Sequence, residues 1–181
     1  MKKKDIIKRV RFHGRGGQGM KTASRIVGTA AFMEGYYAQD FPVYGAERRG
    51  APIMAFTRLS DNPILERGII TQPDINIIAD ETLLHDNAAK VLQGVDSGTI
   101  TMVNTHYTPT HVKETYSVKG EVATVDITET VLKIINRPAL SSVAAASACK
   151  LTGIISRDSL KEAVTRELTD IHLKRESIDK N

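Results

Sequence analysis

Apolar and polar residues near the start of the chain are arranged as expected for a strand followed by a helix. Residues 9–13 alternate charged with apolar or aromatic side chains, which is typical of a short strand. Apolar residues then recur at helical spacing from Met20 to Met33, and Gly35 supplies a stop signal. The segment Gly14-Arg-Gly-Gly-Gln-Gly19 stands between the two. The pattern therefore predicts a strand, a glycine-rich turn and a helix.

The rest of the chain continues to alternate between strand-like and helix-like segments. The predicted strands cover residues 36–41, 53–59, 74–79, 99–104 and 122–127. The predicted helices cover residues 83–92, 128–135 and 139–151, with a last helix, capped by Ser156 or Asp158, that ends near Leu168. This alternation predicts an α/β fold with three layers, a mostly parallel sheet and a Rossmann-like glycine turn after the first strand. The strand at 53–59 is the candidate for an antiparallel member.

Length and composition fit one globular domain. The chain has 181 residues, of which 41% are hydrophobic and 25% charged. We expect a single domain over residues 1–181, with a basic tail over about residues 1–8 and a charged tail over about residues 169–181. The net charge of the chain is +4, whereas residues 1–50 alone carry +7. This asymmetry suggests an anionic partner near the first structural unit.

Cysteine, aromatic and apolar content exclude several classes of function. A single cysteine, Cys149, excludes a disulfide framework and a four-cysteine iron–sulfur cluster or thiolate zinc site made by this chain alone. Because Cys149 lies among alanines in a predicted helix, we expect it to be buried and unreactive. No apolar run approaches the ~18 residues of a membrane span, and charged residues follow the opening lysines. We therefore expect a soluble, cytoplasmic protein that uses neither a membrane nor nucleic acid.

The glycine turn has the spacing of a dinucleotide-binding fingerprint. Gly14, Gly16 and Gly19 follow a predicted strand and precede a predicted helix. Glycine allows positive φ and lets backbone N–H groups approach a pyrophosphate, and the N-terminus of the helix attracts anions. Gly17 and Gln18 are not part of that fingerprint. A tight crossover in which glycine only permits close packing would explain the same residues.

An acidic residue further along favours a nicotinamide cofactor as the alternative ligand. Asp40 lies 21 residues after Gly19, where NAD-binding domains carry the acid that contacts a ribose. A stand-alone NAD(P)-binding oxidoreductase is therefore the main alternative function, although no evident hydride-transfer site follows. A basic nucleic-acid-binding domain is a third possibility, but aromatic residues for base stacking make up only 5% of the chain.

A second basic segment, Tyr44-Gly-Ala-Glu-Arg-Arg-Gly50, lies between predicted strands. We call it the twin-arginine loop. Its adjacent guanidinium groups, on Arg48 and Arg49, suit bidentate contacts with phosphate. We expect this loop at the same edge of the sheet as the glycine turn. A solvated loop, with its arginines paired to Glu47 or Asp40, fits the pattern equally well.

The remaining polar candidates have structural explanations. His13 ends the first strand, where a histidine is more often a hydrogen-bonded structural residue than part of a site. His106 and His111 are expected as solvated loop residues rather than metal ligands. Asp80 and Glu81 follow a strand and are expected to cap a helix. We therefore predict no catalytic residue and no metal ligand in this chain.

Two segments together carry a resemblance to a known family. They are Gly14-Arg-Gly-Gly-Gln-Gly-Met-Lys-Thr-Ala-Ser24 and Tyr37-Ala-Gln-Asp-Phe-Pro-Val-Tyr-Gly-Ala-Glu-Arg-Arg-Gly-Ala-Pro-Ile-Met-Ala-Phe-Thr-Arg-Leu-Ser-Asp61. The chain resembles the gamma subunit of 2-oxoacid:ferredoxin oxidoreductases. Later segments that begin at Pro73 and at Arg137 are similar to the same family, so the resemblance covers about residues 8–168.

The resemblance implies one subunit of a larger enzyme. Such enzymes oxidatively decarboxylate a 2-oxo acid with coenzyme A, giving acyl-CoA, carbon dioxide and reduced ferredoxin. Thiamine diphosphate, Mg²⁺ and [4Fe-4S] clusters are then expected in companion alpha, beta and delta chains, and this chain is a non-redox subunit that is not catalytic alone. The resemblance does not select among pyruvate, 2-oxoglutarate, branched-chain, indolepyruvate and phenylglyoxylate as the substrate.

The resemblance also implies a role for the two glycine-containing segments. In the fused enzymes of the family, similar segments help to hold coenzyme A. The expected coenzyme A site is made by Gly14, Gly16, Gly17, Gln18, Gly19, Arg48, Arg49 and Gly50. A second role is open for the twin-arginine loop, which can equally dock the thiamine-binding chains through Tyr44, Glu47 and Arg48.

Overall fold

The structure is a computed structural model that describes residues 7–43, 50–135 and 140–170. The described residues form six strands, β1 (Ile7–Arg15), β2 (Tyr37–Val43), β3 (Pro52–Ser60), β4 (Ile75–Ile78), β5 (Ile100–Asn104) and β6 (Glu121–Val125). Their α-helices are α1 (Met20–Met33), α2 (Pro109–Thr115), α3 (Ile127–Ile135), α4 (Ser141–Thr152) and α5 (Arg157–Asp170). Most of both predicted tails, residues 1–6 and 171–181, lies outside the described residues.

The strands form one sheet in the order β2-β3-β1-β4-β5-β6. Neighbouring strands from β1 through β4 and β5 to β6 are parallel, whereas β3 is antiparallel to both β1 and β2. The predicted α/β class, the mostly parallel sheet and the antiparallel third strand are thus confirmed. Because β3 lies between β1 and β2, the strand that follows α1 is not a neighbour of the strand that precedes it.

Helices cover one face of the sheet more completely than the other. The larger core lies under α1, α3, α4 and α5 and includes Phe12 of β1 and Ile26 of α1, both fully buried. Ala144, Ala145 and Ala148 of α4 belong to this core, because small side chains allow α4 to pack closely against α1. A smaller core on the other face, around Val103 and Leu83, lies under α2 and irregular chain. Within the described ranges, no helix has both the length and the apolar character needed to cross a bilayer.

A buried carboxylate joins the first and last described helices. Glu167 of α5 is 5% exposed. One oxygen accepts a hydrogen bond from the hydroxyl of Thr29 at 2.6 Å, and the other forms an ion pair with Nε of Arg25 at 2.8 Å, both on α1. These charge-assisted contacts fix α5 against α1, and α1 in turn carries the glycine turn at its N-terminus.

The prediction of a helix over residues 83–92 was wrong. A short 3₁₀ helix, Glu81–Leu84, is followed instead by turns. The carboxylate of Asp86 accepts a hydrogen bond from the N–H of Ala88 at 2.9 Å, a local contact that competes with helical pairing. The apolar residues Leu83, Val91 and Val95 still reach the smaller core, so their spacing reflects burial rather than helical periodicity.

A helix that the sequence interpretation missed lies over Pro109–Thr115, where we expected a loop. The side chain of Thr108 caps it by accepting a hydrogen bond from the N–H of His111 at 3.2 Å. Proline at the first helical position needs no N–H partner there. Thr108 followed by Pro109 was therefore a helix-start signal already present in the sequence.

Cys149 is expected to resist thiol reagents while the protein is folded. It is 2% exposed on α4, and burial raises the pKa of its thiol to about 12, so almost no thiolate forms near neutral pH. Titration with a chromogenic disulfide at pH 8 should give no reaction in native protein and complete reaction in guanidinium. Rapid labelling of the native protein would contradict this assignment.

Candidate functional site

β1 and β4 are neighbouring parallel strands, and the chain continues from their carboxyl ends to opposite sides of the sheet. From β1 the chain crosses by α1 to β2 on one side, whereas β4 leads to β5 on the other. In open α/β sheets such a divergence leaves a crevice outside the carboxyl ends of the strands, where ligands bind. The glycine turn follows β1 at this place, and Asp80 follows β4.

Close packing accounts for some glycines of the turn and not for others. A Cβ at Gly14 would lie 2.6 Å from Cγ of Met20, and a Cβ at Gly19 would lie 2.9 Å from Cβ of Ser141. Gly17, with φ of 97°, has no atom within 4 Å of the place where its Cβ would be. The turn therefore needs glycine for packing at its two ends and leaves its middle open.

Backbone donors and helix ends make the turn suitable for an anion. The N–H groups of Gly17 and Gly19 make no hydrogen bond within the part of the chain that the structure describes. α1 starts at Met20, directly after the turn, and α4 starts at Ser141, which contacts Gly19. The positive ends of two helix dipoles thus meet beside free backbone donors, which is an arrangement that favours phosphate.

The twin-arginine loop begins and ends at this same edge. Its residues 44–49, including Arg48 and Arg49, lie outside the described residues. β2 runs parallel to β1 and β3 runs back, so their connection is at the carboxyl edge. The N–H of Gly50 donates to the carbonyl of Gly16 at 3.3 Å, and the N–H of Gly16 donates to the carbonyl of Ala51 at 2.9 Å. The expected edge is thus correct for the two ends of the loop.

Asp80 caps the 3₁₀ helix, as predicted, and it also binds the glycine turn. One oxygen accepts from the N–H of Thr82 at 3.0 Å. The other accepts from Nε of Arg15 at 3.0 Å and from Nε2 of Gln18 at 3.1 Å. Burial acts to raise the pKa of this carboxyl, but the hydrogen bonds from Thr82 and Gln18 and the charge of Arg15 outweigh it and hold the pKa below its usual value.

A cleft of about 560 Å³ adjoins the turn along the carboxyl ends of β4 and β5. Its described lining includes the carboxylates of Asp80, Glu81 and Asp126 and contains no Lys or Arg. The negative charges of these carboxylates would repel a phosphate group in the cleft. An anionic group is therefore better accommodated on the glycine-turn side of Asp80 than in the cleft.

A second cleft, of about 590 Å³, lies at the opposite edge of the sheet. Two of its three guanidinium groups are paired with carboxylates: Nε of Arg58 donates to Glu66 at 3.1 Å, and Arg9 pairs with both Glu66 and Asp74. The third, on Arg67, donates to the backbone carbonyls of Ile64 and Glu66. Paired charges attract a further anion weakly, because the carboxylates cancel the field of the arginines. This cleft is also remote from the glycine turn.

His13 is buried below the turn and does not reach into the site. It is 1% exposed, and its Nε2 has no hydrogen-bond partner among the described residues. Burial, together with the charge of Arg11, lowers the pKa of His13 to about 3, so the ring is neutral. The structural role expected for this residue is thus supported by its burial.

His106 and His111 lie on either side of one tyrosine ring. The rings of His106 and Tyr107 are 4.1 Å apart, and those of Tyr107 and His111 are 4.5 Å apart, measured between centroids. Both histidines are exposed, as predicted, although His111 belongs to α2 rather than to a loop. Among the described residues, no group of three His, Cys, Asp or Glu side chains is placed to hold a metal.

Asp40 does not lie where an NAD ribose would need it. It is opposite Thr57 of β3, which is itself opposite Val10, four residues before Gly14 on β1. At about 3.3 Å per residue, this places Asp40 roughly 13 Å short of the turn along the strand direction. Its carboxylate instead faces Gly28 in the middle of α1. The spacing in sequence suggested a ribose contact, and the inserted β3 removes it.

Known proteins are similar to this chain in both sequence and fold. A family model described as pyruvate ferredoxin/flavodoxin oxidoreductase matches residues 9–181. The chain is 42% identical over 156 residues to the pyruvate/ketoisovalerate oxidoreductases common subunit gamma of Thermococcus kodakarensis, covering 86% of this chain and 83% of that one. It is 40% identical over 158 residues to pyruvate synthase subunit PorC of Methanosarcina barkeri, covering 87% and 85%. The crystal structure of pyruvate oxidoreductase subunit PORC from Thermotoga maritima superposes with a TM-score of 0.79 at 30% identity, covering 96% and 90%. The chain therefore belongs to the pyruvate ferredoxin/flavodoxin oxidoreductase family, as a gamma-type subunit of an oxidoreductase complex.

Proposed function

We propose that this subunit helps to bind coenzyme A in an enzyme that converts a 2-oxo acid to acyl-CoA and carbon dioxide and passes the electrons to ferredoxin. The observation that carries the proposal is the contact between two segments at the carboxyl edge of the sheet. The backbones of Gly16, Gly50 and Ala51 are joined there by two hydrogen bonds, of 2.9 and 3.3 Å. The glycine turn and the twin-arginine loop therefore share one surface.

The chemistry of coenzyme A matches that surface. The molecule carries a pyrophosphate and a separate 3′-phosphate. The N–H groups of Gly17 and Gly19 and the N-terminus of α1 suit the first anionic group. Arg48 and Arg49 supply guanidinium groups for the other. Held in this way, the thiol would be positioned for acyl transfer, and the contribution of this chain would be orientation rather than proton transfer.

An iron–sulfur cluster does not fit the residues of this chain. A [4Fe-4S] cluster is held by four cysteine thiolates, whereas the chain has one cysteine, which is buried in α4. We place the clusters, thiamine diphosphate and its Mg²⁺ in companion alpha, beta and delta chains. Pyruvate is the substrate we favour, because the names of the relatives include it.

Replacing both Arg48 and Arg49 with alanine is expected to raise the KM for coenzyme A of the assembled enzyme about tenfold or more. One lost charge-assisted hydrogen bond of about 1.5 kcal/mol already corresponds to roughly tenfold in affinity. Release of carbon dioxide from the 2-oxo acid in single-turnover assays without coenzyme A should change little. Steady-state kinetics of the purified complex measures the first effect.

The matched control removes two exposed arginines elsewhere. Arg157→Ala with Arg166→Ala makes the same change in charge on α5. This control should leave the KM for coenzyme A unchanged. An unchanged KM in the Arg48 and Arg49 variant would overturn the proposed role. Loss of the companion chains from that variant on purification would instead assign the loop to docking.

A further inference from the structure

The side chain of Arg15 joins three separate parts of the carboxyl edge. Its Nε donates to Oδ2 of Asp80 at 3.0 Å, after β4, and its Nη2 donates to Oγ1 of Thr82 at 2.6 Å, in the 3₁₀ helix. Its Nη1 donates to the carbonyl of Gly50 at 3.2 Å, where the twin-arginine loop ends. Arg15 itself lies at the start of the glycine turn. Its guanidinium is thus directed at protein atoms on three sides.

Asp80 completes a closed set of contacts around this guanidinium. The hydroxyl of Thr82, which accepts from Arg15, donates in turn to Oδ1 of Asp80 at 2.5 Å. With the N–H of Thr82 and Nε2 of Gln18, the carboxylate accepts four hydrogen bonds, which fills both oxygens. The side chain of Asp80 is 17% exposed and that of Arg15 is 31% exposed. Limited access of water strengthens such pairs relative to fully solvated ones.

Gln18 extends these contacts into the backbone of the turn. Its Oε1 accepts from the N–H of Arg15 at 2.7 Å, and its own N–H donates to the carbonyl of Arg15 at 3.0 Å. Its Nε2 binds Asp80. Gln18, which the dinucleotide fingerprint does not specify, therefore fixes the shape of the turn and connects it to the end of β4. We call Asp80, Arg15, Gln18 and Thr82 the Asp80 clamp.

We propose that Asp80 is a positioning residue for the coenzyme A site, and that through the Asp80 clamp it holds the Gly50 end of the twin-arginine loop against the glycine turn. The identity of the ligand rests on the proposed function, whereas the coupling of the two segments does not. Arg15 is then a second positioning residue and not a phosphate ligand. The phosphate contacts that the described residues can offer are then left to the open N–H groups of the turn.

Asp80→Asn is the informative substitution, because it changes the charge and hardly changes the shape. An amide places an NH₂ donor where one carboxylate oxygen stood, facing groups that are themselves donors. Two effects are expected in the assembled enzyme. Amide hydrogen exchange at Gly16 and Gly50 should become about tenfold faster, and the KM for coenzyme A should rise about fivefold or more, with kcat nearly unchanged. Glu129→Gln, which removes an ion-paired carboxylate on α3, is the matched control and should change neither.

The outcomes separate this inference from the proposed function. Unchanged exchange at Gly16 and Gly50 in Asp80→Asn would overturn the clamp, whatever the kinetics show. Faster exchange with an unchanged KM would overturn the positioning role if the Arg48 and Arg49 variant still raises the KM. An unchanged KM in both variants would overturn the proposed coenzyme A site itself. Should Asp80→Asn fail to assemble, Thr82→Val removes one arm of the clamp and should give smaller changes in the same directions.

Discussion

Replacing Gly94 with alanine is expected to lower the free energy of unfolding by about 3 kcal/mol or more. Gly94 has φ of 73°, and a Cβ there would lie 1.8 Å from the carbonyl oxygen of Thr71. This oxygen belongs to the backbone, so no side-chain rotation can relieve the overlap. Either the segment before β4 or the segment before β5 would have to move. Guanidinium unfolding followed by circular dichroism measures the loss.

Gly35→Ala provides the control for this substitution. Gly35 has a similar φ of 85°, but no atom lies within 4 Å of the position its Cβ would take. Only the left-handed backbone conformation is then unfavourable, at a cost of about 1 kcal/mol. Equal losses in the two variants would show that backbone conformation, and not the contact with Thr71, determines the need for glycine at Gly94.

Asn104→Ala should give the next largest loss, about 3 kcal/mol, at the carboxyl end of β5. The residue is 7% exposed. Its Oδ1 accepts hydrogen bonds from the N–H groups of Ile127 at 2.8 Å and Thr128 at 3.3 Å. A side chain of β5 thus helps to cap the first turn of α3. Its Nδ2 donates to the carbonyl of Ala79 at 2.9 Å. Alanine would leave these groups without partners, and the first turn of α3 would keep only the cap from Asp126, whose Oδ1 accepts from the N–H of Glu129 at 2.9 Å.

Thr128→Val isolates one of these contacts. It removes the hydroxyl that accepts from Nδ2 of Asn104 at 2.9 Å and leaves the backbone cap intact. The expected loss is about 1 kcal/mol. A loss for Asn104→Ala no greater than that for Thr128→Val would refute the capping role. The same denaturation experiment measures both variants.

The first structural unit was predictable because the signals that define it are local. The helical spacing from Met20 to Met33 gave both ends of α1, and the preceding glycines placed a turn directly before it. In β1, alternation indicated a strand over residues 9–13, and the observed strand extends two residues further at each end. Extended pairing with β3 stabilises these additional residues, and the periodicity of one strand carries no information about its partner.

Features that depend on strand order were not predictable from periodicity. The insertion of β3 between β1 and β2 moved Asp40 away from the glycine turn, although its sequence distance from Gly19 suggested otherwise. Likewise, apolar residues between Leu83 and Leu92 indicated a helix, but their burial in the smaller core is achieved by turns. In both cases tertiary contacts overrode a local signal.

The sequence pattern indicated which residue types the candidate site contains, but it did not indicate which of them are in contact. Glycine and arginine patterns indicated an anion-binding edge, whereas the contact of Arg15 with Asp80 joins residues 65 positions apart. One local signal was available: Gln18 occupied a position that the dinucleotide fingerprint leaves unexplained. Its amide is now seen to bind both Arg15 and Asp80.

The antiparallel insertion of β3 leaves the segment with Arg48 and Arg49 anchored at both of its ends. Val43 and Met54 are paired in the ladder between β2 and β3, and Gly50 is bonded to the glycine turn. One boundary of the intervening segment is thus set by sheet register and the other by its bond to the glycine turn. The anchoring of the two ends does not depend on which residues lie between them, so we expect substitutions within residues 44–49 to change ligand preference while the strand register is kept.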